Sequence, residues 1–200
     1  DAPTIIDNGD CSDNDWLISI EANDVTIKGF WLDDDGCERP VVRIGEGVGG
    51  AEISDNDVRQ GEKGVDLSSN SSENTVTKNN ISNNDNEGVW IGGSTSNTIS
   101  DNEIYGNATG IGLGAGGCGE ECVGDISGNK ITGNYIYEND DGDSGIHVGG
   151  EDVSFSELTI SDNNVTENGG YGIYFDRIAD GELTISGNEI KELRLETHIE

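Results

Sequence analysis

The stretch ISDNEIYGN, Ile99 to Asn107, recurs in variant form along the chain. ISDNDV begins at Ile53, VTKNNI at Val76, ITGNYI at Ile131, ISDNNV at Ile160 and ISGNEI at Ile185, with a degenerate copy, IKGFWL, at Ile27. The shared pattern is apolar, polar, any residue, Asn, any residue, apolar. Its asparagines are Asn56, Asn79, Asn102, Asn134, Asn163 and Asn188, at intervals of 23, 23, 32, 29 and 25 residues. A period of that size means one supersecondary unit stacked on the next.

Within a unit the apolar and polar residues alternate, as in Asn97-Thr98-Ile99-Ser100. That is strand periodicity. One unit reads as strand Thr98 to Ser100, a corner at Asp101-Asn102, strand Glu103 to Tyr105, a polar turn, and a third strand from Gly110 to Leu113. The third strand repeats too, as GVDL at Gly64, GVWI at Gly88, GIHV at Gly145 and GIYF at Gly172, with VVRI at Val41 in the same slot. A propeller blade needs about 40 residues, too many for this period. The expected fold is all-β: a right-handed parallel β-helix of about seven coils, roughly 35 Å long at the spacing of stacked strands. An asparagine ladder runs up one corner, each side-chain amide bonding the copies above and below.

The asparagine repeats, with the entry phrase ISIEANDVTIKGFWL from Ile18 to Leu32, resemble the right-handed parallel β-helix repeat proteins, both NosD-like and pectate-lyase-like. The resemblance covers about Leu17 to Leu193. It implies the fold, and it implies a third-strand face used by the glycan-active members. It leaves activity open, because lyases, hydrolases, epimerases, adhesins and structural proteins share the architecture. The catalytic signatures of the epimerases, polygalacturonases and pectate lyases are not present.

The 200 residues suit one domain: an irregular cap over residues 1–16 with a partial strand at Ile5-Ile6, coils over 17–193 and an end segment over 194–200. The 41 acidic residues against 10 Lys plus Arg give a net charge of -31, spread along the chain. Such a surface suits a high-salt milieu, where screening removes self-repulsion, or a protein that binds divalent cations outside the cell. With no basic patch, nucleic acid is not an expected partner. No run is long and apolar enough to span a membrane. Four cysteines point to an oxidising, extracellular or cell-surface setting. The expected disulfides are Cys11-Cys37, tying the first coil to the second, and Cys118-Cys122 within one loop; a zinc half-site at CxxxC lacks a nearby His.

Outward positions of the third strand stack as Arg43, Asp66, Trp90, Gly112, His147 and Tyr174. Arg43, Asp66, Trp90, His147 and Tyr174 could stack on and hydrogen-bond a polysaccharide, although outward strand positions tolerate any residue and aromatics favour strands. His147 and Asp176 make a candidate acid-base pair, with Tyr174, Asp66 or Arg177 assisting. Longer insertions at Gly114 to Gly128, Asn139 to Ser144 and Gly149 to Ser156 flank this region. Asp140, Asp141 and Asp143 are candidate calcium ligands, as is the run Asp33 to Asp35; otherwise no cofactor is expected. Copper is not expected in a chain with no Met and two His. Asn107, in a turn, is the leading sequon for glycosylation, among Asn70, Asn80 and Asn164.

Three readings stand together. One is an extracellular structural or binding module that assembles end to end with copies of itself. The second is a polysaccharide-active lyase or hydrolase. The third is a calcium-dependent module that binds cell-surface polysaccharide.

Overall fold

The computed structural model describes residues 4–7, 16–68, 70–115, 124–140, 144–150, 153–176 and 181–191. All regular structure among them is β. Three long parallel sheets wrap one core. The first-strand sheet has seven strands, from Thr26–Lys28 to Leu183–Ser186. The second-strand sheet has eight, from Thr4–Asp7 to Glu189–Lys191. The third-strand sheet has seven, from Ile18–Ile20 to Tyr171–Asp176. Every long-sheet pairing is parallel and joins one coil to the next. The expected partial strand at Ile5-Ile6 pairs with Trp31 and Leu32 and starts the second-strand sheet.

Alternation decides which side chains go inside. Val76, Ile99, Ile131 and Ile160 stack in register on the first-strand sheet and are fully buried. Val58, Ile81, Ile104 and Ile136 do the same on the second-strand sheet. The third-strand sheet contributes two columns, Val65-Val89-Ile111-Ile146 and Leu67-Ile91-Leu113-Val148. Branched aliphatic side chains favour strands and fill the narrow interior. Their burial supplies the main driving force for closing each coil.

The coil turns three corners, and each is built alike. One residue takes positive φ, and a buried Asn follows it. At the first corner Asp55, Lys78 and Asp101 have φ of 54°, 56° and 54° and precede Asn56, Asn79 and Asn102. The Asn102 side chain shows how the ladder works. Its Nδ2 donates to Val76 O at 2.9 Å and to Asn134 Oδ1 at 3.0 Å, while its Oδ1 accepts from Asn79 N and Nδ2 at 2.9 and 3.0 Å. The corner backbone groups that no sheet can reach are thereby satisfied. In the degenerate first copy Phe30 holds the Asn slot; only its backbone N–H joins the ladder, donating to Asn56 Oδ1.

The other two corners carry ladders that the repeat pattern does not single out. Asn84, Asn107, Asn139 and Asn168 link the second- and third-strand sheets. Asn74, Asn97 and Asn129 link the third-strand sheet to the next coil. This corrects the expectation for Asn107. It is 1% exposed and bonds Asn84 and Asn139, so it is not an exposed glycosylation site.

The glycine that opens each third strand has a steric reason. A Cβ on Gly110 would come within 2.5 Å of Gly145 O and 2.6 Å of Ile136 Cγ2. The equivalent Gly64, Gly88 and Gly145 are equally hemmed in. The chain passes close under the corner Asn there, and only glycine leaves room.

Cys37 is buried and is not a free thiol. Its expected partner Cys11 lies outside the described residues, as do Cys118 and Cys122. The Asp33–Asp35 run is not assembled for calcium. Asp34 is fully buried against Arg39, whose Nε donates to Oδ1 at 2.9 Å and to Oδ2 at 3.1 Å, and Asp33 pairs with Arg59 at 2.8 Å. Guanidinium groups occupy the oxygens that a cation would need. No described helix is long and apolar enough to cross a membrane.

Candidate functional site

The outward row of the third-strand sheet is in register. Arg43 stands opposite Asp66, Asp66 opposite Trp90, Trp90 opposite Gly112, Gly112 opposite His147, and His147 opposite Tyr174. Ser19 precedes Arg43 in the same row. Neighbours in the row are about 4.8 Å apart, the strand spacing.

Around Asp66 and Trp90 the row gathers two further residues, Lys63 and Glu87. Lys63 sits just before the strand Val65–Leu67, and Glu87 opens the strand Glu87–Gly92. Glu87 Oε2 lies 4.0 Å from Lys63 Nζ and is buried without a hydrogen-bond partner. Lys63 Nζ also lies 5.6 Å from the centre of the Trp90 ring, a cation-π distance. Burial pushes both carboxyls above their ordinary range, with Lys63 opposing the rise at each; the nearby Asp66 charge raises Glu87 further. Burial favours the protonated form of each carboxyl, and the single ammonium favours the ionised form.

Trp90 does not stand out from the sheet as its row position suggests. Its indole lies over the next coil, where a Cβ on Gly112 would come within 2.8 Å of the ring and one on Gly114 within 2.6 Å. The two glycines leave a trough that the ring fills. Trp90 therefore offers an edge and one half-buried face, held in place by packing.

Past the trough, His147 and Tyr174 meet at 5.2 Å between ring centres, and Tyr171 stacks on Tyr174 at 4.9 Å. Tyr171 is 57% exposed. Register places Tyr174 opposite His147 and Asp176 opposite Gly149. Asp176 thus stands diagonally from His147, and His147 Nε2 is buried without a hydrogen-bond partner, so that nitrogen makes no pair with Asp176. At the other end Arg43 is engaged: it donates to Glu21 Oε1 at 2.9 Å and to Ser68 Oγ at 2.9 Å, and it lies 4.3 Å over the Trp16 ring.

Glu87 and Lys63 were legible only weakly in the sequence. Glu87 stands immediately before the repeated Gly of GVWI, a slot that faces the trough only once the corner is formed. Of the expected calcium ligands, Asp140 is exposed, while Asp141 and Asp143 lie outside the described residues. Among the described residues no group of three His, Cys, Asp or Glu side chains could hold a metal. Arg177 and most of the Gly114–Gly128 insertion also lie outside them.

Known proteins share this architecture. An alginate lyase from Paenibacillus sp. str. FPU-7 superposes with a TM-score of 0.58 at 14% identity, over 87% of each chain. The Dettilon tailspike protein gives 0.59 at 17% identity, over 85% of this chain and 42% of its own. The catalytic domain of a GH87 α-1,3-glucanase, solved with tetrasaccharides, gives 0.57 at 23% identity, over 84% of this chain and 31% of its own. This chain thus spans less than half of the latter two. At such identities the likeness is one of fold. A comparison with curated protein sequences finds no match. The model of the right-handed β-helix region matches residues 17–190, the span of the coils and their three asparagine ladders, and the chain belongs to the right-handed β-helix family.

Proposed function

We propose that this chain engages a neutral polysaccharide along its third-strand face and that Asp66 and Glu87 do acid-base work on the glycosidic bond. The observation that carries this reading is the pair of desolvated carboxyls beside Lys63 and the fixed edge of Trp90. Whichever carboxyl is protonated donates to the leaving glycosidic oxygen. The ionised partner stabilises the developing positive charge at the sugar carbon or activates water. Burial favours the proton on each carboxyl and Lys63 favours its loss, so the two can divide the acid and base roles between them. Tyr171 and Tyr174 provide a stacking platform farther along the same row, as sugar rings require. A neutral polymer fits better than an anionic one. The protein carries a net charge of -31, and the two cations at this face, Arg43 and Lys63, already face Glu21 and Glu87. An extracellular setting, expected from the cysteines, belongs to this reading.

The test is chain shortening of neutral glucans and mannans, followed by reducing-end release and size exclusion. Wild type shortens one of them; Glu87→Gln and Asp66→Asn still bind it in affinity electrophoresis but release at least a hundredfold fewer ends. Binding without shortening by wild type would reduce the face to a lectin-like module. No retardation of any polymer would end the reading.

One observation supports assembly as a second reading. The last described coil exposes Leu183, Ile185 and Ile190, at 37%, 47% and 50%. A second copy stacked there would cover them. Light scattering in several-molar salt tests it: a monomer at all concentrations excludes assembly.

A further inference from the structure

The second-strand sheet carries its own outward row, in register as Trp31, Asp57, Asn80, Glu103, Tyr135 and Asn164. Four strand spacings separate Trp31 from Tyr135, about 19 Å. At the Trp31 end an open groove of about 440 Å³ is lined by Phe30, Trp31, Asp57, Lys78 and Asn80. At the far end Tyr135 is 41% exposed and stacks on Tyr137 at 4.4 Å, which stacks on Tyr105 at 5.0 Å. Between these aromatic ends, Asp57 Oδ1 and Asn80 Oδ1 have no hydrogen-bond partner, and Asn164 Oδ1 beyond Tyr135 has none either. These oxygens are buried and no protein bond ties them, so turning a side chain outward toward a ligand hydroxyl breaks no bond at that oxygen.

We propose that this row is a separate binding site for a neutral glycan chain, with one sugar ring seated in the groove against Trp31 and the chain running across Asp57 and Asn80 to Tyr135. The chemistry selects the class. The polar groups of the row are mainly acceptors, so the ligand must bring donors, as sugar hydroxyls do. Aromatic residues at both ends suit the apolar faces of pyranose rings. An anionic polymer meets Asp57, Glu103 and the protein's net charge of -31. A polyamine meets Lys78 at the groove and Lys28, which is ion-paired to Asp55 at 3.0 Å beside it. The groove volume lies in the range of small-ligand sites. The inference rests on the second-strand sheet alone and does not need the third-strand face to be active.

The experiment is a ¹H–¹⁵N NMR titration of the full chain with maltohexaose, cellohexaose and laminarihexaose. At least one hexaose should shift the Trp31 indole and Asn80 side-chain amide signals together. Trp31→Ala should weaken that binding at least tenfold. Tyr135→Ala, at an exposed position where folding is not at stake, should weaken it at least threefold. Trp90→Ala should leave it unchanged, which separates this site from the third-strand face. Shifts confined to the Trp90 signal, no shift with any hexaose, or a response to spermidine without one to any hexaose would each overturn the proposal.

Discussion

Glu87 Oε2 stands 4.0 Å from Lys63 Nζ, at the edge of the face that carries Trp90, and no hydrogen-bond donor reaches it. Burial raises its pKa, and that of Asp66, above the ordinary value. For a raised carboxyl the sign is set by linkage. The folded state binds the proton more tightly than the unfolded one, so stability falls as pH rises from the unfolded value through the folded one. Below both values the contribution is fully present.

The prediction that follows is that Glu87→Gln and Asp66→Asn raise the melting temperature at pH 7 while lowering turnover of any polysaccharide substrate. The gain should shrink as pH falls below the ordinary carboxylate range, where wild type is also protonated. Melting curves from pH 3 to 8 check it. A loss of stability at pH 7 would mean that the Lys63 contact outweighs desolvation.

Asn102 sits mid-ladder and accepts or donates at every amide position, between Asn79 and Asn134. Asn102→Ala leaves Val76 O, Asn79 N and Asn134 Oδ1 short of partners in a water-free corner. The expected cost is about 3 kcal/mol or more. Asn102→Asp, which cannot donate when ionised, should cost at least as much at neutral pH. Urea denaturation measures both, with Asn188, the last in the ladder and half-buried, giving a smaller effect.

Gly110 opens a third strand beneath Asn139 and Ile136. Gly110→Ala puts a methyl group against Gly145 O at 2.5 Å, a backbone atom that cannot yield alone. The expected cost is about 1–3 kcal/mol. The same change at Gly47, which has nothing within 4 Å but a φ of 71°, isolates the backbone strain from the clash. Chemical denaturation of the two variants separates the effects.

Asp34 and Arg39 form a buried ion pair, at 0% and 3% exposure, where the second-strand sheet shifts register. Asp34→Ala removes the carboxylate from a buried guanidinium and should cost about 3–5 kcal/mol. The double variant Asp34→Leu, Arg39→Met should recover much of that loss, because the pair's own desolvation cost disappears with it. Equilibrium unfolding of the single and double variants closes the cycle.

The described basic residues are largely matched, as in Lys28 with Asp55, Arg59 with Asp33 and Lys191 with Glu189, so most of the 41 acids have no cation beside them. Repulsion among them is screened by salt. The melting temperature should therefore climb steadily from low salt to 1 M NaCl, whichever mutant is measured. A flat curve would show that the acids are too far apart to repel.

The order of strands, the inward columns and the first ladder were readable from the chain itself, because a local, repeated pattern of alternation and corner Asn carries that information in every coil. The other ladders, at Asn74, Asn97 and Asn129 and at Asn84, Asn107, Asn139 and Asn168, keep the same spacing, yet among many asparagines the spacing alone did not mark them as buried; Asn107 looked like a surface turn. The outward row from Arg43 to Tyr174 was likewise legible, since register follows from equal strand slots. What the tertiary structure decided was everything that depends on depth and direction at the corners. It laid Trp90 down over Gly112 and Gly114, it left His147 Nε2 buried without a hydrogen-bond partner, and it spent Asp33 and Asp34 on arginines. It also half-buried Glu87 against Lys63, which holds the same slot one coil earlier, and it lined Asp57 and Asn80 along the second-strand groove. Periodicity specifies which face a side chain leaves from. Burial, and so the charge state of a carboxyl, depends on what the neighbouring coils place over it.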